Sequence, residues 1–166
     1  MAREFTVSVG NQTVGANTLV FINPAAAPNV GIRILRCWAS QAANATSAQQ
    51  RVQLVRQLTA FPTLVSATPR PLKSADTIAS IIVGNTTGAA GTCGVNASAE
   101  GAGAKTVIVE DAFNVLNGYL WTPSMNGSSN ELLELPAGSA SGFGLFLPIA
   151  PTTTTGWSFG VTFAEF

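Results

Sequence analysis

The chain has 166 residues, 46% of them apolar and only 10% charged, with eight basic and eight acidic side chains and no histidine. Its length suits one domain, 1–166. Low charge and high hydrophobicity exclude the disordered class, and the lack of histidine removes the commonest general base and the commonest metal ligand.

Phe5, Val7 and Val9 alternate with Thr6 and Ser8, the pattern of a half-buried strand that Gly10-Asn11 ends. Thr18 to Asn23 is a short apolar strand stopped by Pro24. Gly31 to Gln41 reads as a longer strand, with Ile32, Ile34 and Trp38 on one face and Leu35 and Cys37 on the other. Gln49 to Ala60 alternates again. Its Gln, Arg and Leu content would also suit a helix over 48–58, but the period of two favours a strand. By that alternation Arg36 and Arg56 each fall on an apolar face, so each needs a partner or a place at the sheet end. Glu110 and then Glu134 are the candidate partners in these structural ion pairs.

Pro62, Pro69 and Pro71 mark 61–77 as a long excursion, with a possible helical turn over 72–79 capped by Ser74. Short strands follow at 78–83 and 92–99. Val107 to Pro123 then reads as a central strand, a bend at Asn117-Gly118 and a second short strand, anchored by Phe113, Tyr119 and Trp121. Leu132 to Leu135, Phe143 to Leu147 and the alternating Trp157, Phe159, Val161, Phe163 complete the chain. Trp38 and Trp157 join those three aromatics as expected core anchors. The chain is thus all-β, an antiparallel sandwich of about 8–10 short strands with at most one short helix. A jelly roll, which draws both chain ends into its sheets, is the expected type.

The charge is split along the chain. Residues 1–75 carry seven cations against Glu4 alone, and residues 76–166 carry seven carboxylates against Lys105 alone. Interleaved strands would turn this split into cross-strand ion pairs; the alternative is complementary patches that dock copies or a larger charged surface. No basic tract is dense enough for nucleic acid. No stretch reads as a signal peptide or membrane span, so the expectation is synthesis in the cytoplasm, or a chain whose leader has been removed.

Motifs for chemistry are weak. Gly101 to Thr106 lacks the frame of a phosphate loop. Glu110 and Asp111 are adjacent, so a strand points them to opposite faces. Cys37 and Cys93 alone make no zinc site; Cys37 reads as a small buried hydrophobe, and a disulfide between the two stays open. Five N-x-S/T sequons, at Asn11, Asn44, Asn85, Asn96 and Asn126, are what chance gives in so Asn-, Ser- and Thr-rich a chain. The expectation is no enzyme, cofactor, metal or small-molecule ligand.

The run Glu110 to Pro123, then Leu132 to Leu135, then Gly142-Phe143-Gly144-Leu145, then the Trp157 strand ending Phe163-Ala164-Glu165, resembles small jelly-roll virion proteins of tailed bacteriophages. Arg33 to Ser40 and Thr86 to Gly101 resemble them as well. The resemblance implies a decoration or cement protein on the capsid surface. It would bind the major capsid protein, bridge capsid subunits, form a homo-oligomer with a trimer favoured, and have no catalytic site. Loops 42–48, 61–77 and 84–91 are the expected contacts. The alternative is a carbohydrate- or receptor-binding module of a tail or fibre, which needs an exposed aromatic platform at Trp38, Tyr119 or Trp121.

Overall fold

In a computed structural model, described over residues 3–43, 46–73, 78–123 and 133–166, thirteen strands pack as two sheets with no helix among the described residues. The first sheet runs β10 (Tyr119–Trp121), β3 (Ile32–Gln41), β13 (Trp157–Glu165), β1 (Arg3–Gln12), β6 (Arg70–Pro71), with β11 (Glu134–Leu135) also on β3. The second runs β5 (Thr63–Ser66), β8 (Thr92–Ala99), β2 (Thr18–Ile22), β12 (Ser141–Phe146), β4 (Gln49–Leu58), β9 (Lys105–Asn114), with β7 (Val83–Gly84) also on β8.

The pairing is nested. β1 pairs with β13, β2 with β12, β3 with β10 and β4 with β9, all antiparallel. β13 also pairs with β3, and β12 with β4. Two four-stranded sheets wound in this way are a jelly roll. The excursion between β4 and β9 supplies β5 to β8, which extend the second sheet beyond β2 and the first beyond β1. It raises the strand number above the expected range with pieces of two to four residues and the eight-residue β8. The expected Ser74 cap lies outside the described residues.

β13 shows why the sandwich forms. Trp157, Phe159, Val161 and Phe163 alternate inward and are fully buried. They meet Phe5 and Val7 of β1, Ile32 and Ile34 of β3, and Ile22, Leu54, Phe143 and Leu145 of the facing sheet in one core. A smaller cluster lies on the outer face of the second sheet, where Phe21 packs with Leu64, Ala97 and Phe61. β12 makes room for it: its inward positions are Phe143 and Leu145, and a Cβ on Gly142 would run into the Phe21 ring.

Two expectations about faces need correction. β3 does not alternate strictly. Thr162 pairs with Arg36 and Phe163 with Ile34, so Leu35 is an extra residue, a bulge. Beyond it the buried positions are Cys37, Ala39 and Gln41, and Arg36 and Trp38 turn to the outer face. β9, read from its β-branched run as a central strand, is an edge strand paired only with β4. Six of its ten residues are exposed, including Val107 and Ile108. β-branched residues suit any pleated surface, so they mark a strand without placing it in the sheet.

Candidate interaction surface

The ion pairs differ from those expected of Arg36 and Arg56. Glu110 pairs with Arg51 across β4 and β9, and Glu134 pairs with Arg33 at 2.6 Å across β11 and β3. Arg3 pairs with Glu165 at 3.2 Å, and Lys105 with Glu100 at 3.0 Å. Three of these four pairs join the basic first half to the acidic second half, so interleaved strands absorb much of the charge split.

Arg36 meets neither Glu110 nor Glu134. The Leu35 bulge has put it outside, where its Nε donates to Thr162 Oγ1 at 2.9 Å and its guanidinium lies 5.1 Å from the Trp38 ring centre. Arg56 keeps the register of Phe143, an inward position. It lies at the sheet end with an exposed side chain, and its Nη2 approaches the backbone carbonyl of Glu134 at 3.5 Å rather than a carboxylate.

The aromatic anchors divide. Trp157 is fully buried and donates its indole N–H to Thr153 O at 2.8 Å. Phe113 and Tyr119 are buried with ring centres 5.5 Å apart, and Phe113 meets Trp157 edge-on. Trp121 is half-buried against the core rim. Trp38 is half-buried on the outer face and belongs to a surface stack rather than to the core. Its benzo ring fills the space that a Cβ on Gly160 would need. Beside it on β10, Leu120 is 67% exposed.

Alternation at the chain end could have exposed one more residue. Glu165 continues the inward positions of β13, is 3% exposed, and accepts from Arg3, Ser80 Oγ and the backbone N–H groups of Ile81 and Ile82. It ties both strand ends to the excursion. The expected contact loops are less free than their polarity suggests. Leu64 is buried against Phe21, Pro62 is buried, and Gly88 is buried against Phe61.

Among the described residues, the larger grooves include two at the sheet margins. One, of about 410 Å³, lies between β1 and the β5–β6 segment and is lined by Ser8, Gln12, Ser66, Thr68 and Arg70 over Val7 and Val95. The other, of about 450 Å³, lies beside β9 and is lined by Arg56, Leu58, Thr106, Ile108 and Ser141. Neither gathers an acid, a base and a nucleophile. Among the described residues no group of three or more His, Cys, Asp or Glu could hold a metal ion. Cys37 and Cys93 are both free and buried. Desolvation raises both thiols, Cys93 to about 12, and Tyr119 is raised by burial and then by Cys37 and Asp111. These groups hold their protons; none is an activated nucleophile.

The fold and this surface define the protein as a jelly-roll sandwich with large exposed side chains on an outer sheet face and a strand edge. No family model matches the chain, no curated protein matches it, and no solved structure matches it.

Proposed function

We propose that the chain is a structural virion protein, a decoration protein that binds the outer surface of a phage capsid and strengthens it by bridging capsid subunits. The observation that supports a binding role is where exposed and half-buried large side chains lie on the outside of the sandwich. Arg36, Trp38 and Leu120 share the outer face of the first sheet, and Val107 and Ile108 are exposed on the β9 edge of the second. Trp and Arg are the residue types that dominate protein interfaces. The jelly-roll winding supports the virion reading by analogy of fold alone. Binding only the assembled shell would stabilise that shell by mass action.

A carbohydrate-binding module needs an open aromatic face. Tyr119 is buried, and Trp38 lies against Gly160 with the Arg36 guanidinium over its ring. No observation favours that reading over the first.

Mass spectrometry of purified particles from the source culture tests the proposal. The expected result is this chain in a copy number comparable to that of the shell protein. Its absence from intact particles would refute the assignment. Particles carrying it should also release their genome at a higher temperature than particles stripped of it.

A further inference from the structure

We propose that the outer face of the first sheet docks onto carboxylates of the shell protein, and that Arg36, held in place by Trp38 and Thr162, is the principal contact. This rests on the decoration reading above and names the partner chemistry of that face. Strand register lays the face out. Arg36 of β3, Thr162 of β13, Thr6 of β1 and Arg70 of β6 stand opposite one another in one row across four strands. Opposite residues share a face of the sheet. Thr6 lies between the inward Phe5 and Val7, so the row is on the outer face. The next row sets Trp38 between Leu120 and Gly160. The central strand offers only small residues here, and Trp38 rests on Gly160 while Arg36 covers Thr162, which is 3% exposed.

The occupant follows from what Arg36 has and lacks. Its Nε donates to Thr162 Oγ1 at 2.9 Å, and the guanidinium carbon lies 5.1 Å from the Trp38 ring centre. Ordering a long side chain at an interface costs affinity, and here the fold has already ordered it. Its two Nη groups make no hydrogen bond among the described residues. A guanidinium presents such groups as a fork that fits a carboxylate. Arg3, Arg33, Arg51 and Lys105 each have an ion pair, whereas Arg36 and Arg70 have none among the described residues. The row is thus two threonines between two unanswered guanidiniums, about 14 Å apart at about 4.8 Å per strand. Duplex nucleic acid carries a charge every ~1.7 Å and calls for a denser set of cations. Scattered acidic side chains on a folded surface suit two isolated ones. Glu4, on β1 beside β6, also has no ion pair. It opposes an anion near Arg70 and leaves Arg36 the stronger contact. Leu120, 67% exposed next to Trp38, gives the site an apolar rim.

Particles stripped of the chain and given back purified variants test this, with bound protein read by co-sedimentation over a range of concentrations. Arg36→Gln should weaken binding at least tenfold, and Arg70→Gln by a smaller factor. Arg36→Lys keeps the charge but loses the fork and the stack, so it should recover only part of the loss. Arg56→Gln removes an exposed arginine of the second sheet that also lacks an ion pair, and should bind like the parent. Leu120→Asp should weaken binding more than Leu120→Lys, a test of sign at a site too exposed to disturb the fold. Rising salt should weaken the parent more steeply than Arg36→Gln. A parent chain that does not bind stripped particles would refute the decoration reading and this inference together. Parent binding that survives Arg36→Gln, or that falls equally with Arg56→Gln, would overturn this inference alone. So would Arg36-dependent retention on heparin without Arg36-dependent binding to particles, the result expected of a polyanion partner.

Discussion

Glu165 shows how much one side chain can organise here. A carboxyl group at 3% exposure is tolerated because donors surround it: the Arg3 guanidinium, the Ser80 hydroxyl and two backbone N–H groups. Glu165→Ala would strand those buried donors and leave Arg3 unpaired, a cost of about 2–4 kcal/mol. Glu165→Gln keeps an acceptor and should cost less. Urea unfolding of the two variants gives the order directly. The buried thiols make a second prediction at this scale. Folding raises Cys93 from 9.0 to about 12 and Cys37 in the same direction, so the native state keeps protons that the unfolded chain gives up. Their contribution is intact below the ordinary thiol value and shrinks as pH climbs from about 9 towards 12. Stability against urea should therefore be flat from pH 7 to 8 and fall in alkali. At pH 8 neither thiol should react with a thiol reagent until the chain unfolds.

At the scale of elements, β1, β4 and β13 were legible because their side chains follow the two-residue period of a strand, and β2 and β12 because short apolar runs end at Pro24 and Pro148. β3 was legible as a strand and misread as to faces, since nothing in Ile32-Arg33-Ile34-Leu35-Arg36 marks Leu35 as the residue that drops out of the ladder. That one bulge moved Arg36 and Trp38 from the expected core to the outer face and left Glu110 and Glu134 to Arg51 and Arg33. Bulges depend on the partner strand, so local alternation cannot locate them. The position of β9 at an edge was hidden for a related reason: sheet order is set by pairings distant in sequence. Deleting Leu35 makes a sharp test. Without it Ile34, Cys37 and Ala39 fall on one face in strict alternation, and Arg36 still points outward beside Thr162. The deletion should fold, with native-like near-ultraviolet circular dichroism. Gly160→Ala, by contrast, changes no alternation but drives a methyl into the Trp38 ring and the Val7 carbonyl. Overpacking of this kind costs about 1–3 kcal/mol, and the Trp fluorescence should shift as Trp38 lifts from the sheet.

For the whole molecule, the jelly roll makes the two ends of the chain neighbours. Arg3 pairs with Glu165 and Phe5 with Phe163, so β1 and β13 lie side by side in the first sheet. β13 is also flanked by β3, which makes it an interior strand. Its three buried aromatics alone remove about 150–250 Å² each from water, roughly 11–19 kcal/mol at 25 cal/mol per Å². That matches or exceeds the net stability of an ordinary domain. Removing 157–166 should therefore abolish cooperative unfolding rather than weaken it. What the fold needs is the pairing of β1 with β13, not the chain break between them. A circular permutant joining residue 166 to residue 1 by a short Gly/Ser linker, and opened between Gly138 and Ser139, keeps every strand intact. The new break falls in an exposed-to-half-buried turn with Gly138 at φ +70° and open space around it. Breaks at such sites are tolerated. The permutant should unfold in one transition within a few degrees of the parent. It should fold faster, because the most distant pairing in the chain becomes a local hairpin. A permutant that folds no faster would show that closing β1 on β13 is not the slow step, and would shift attention to the β4–β9 pairing across the excursion.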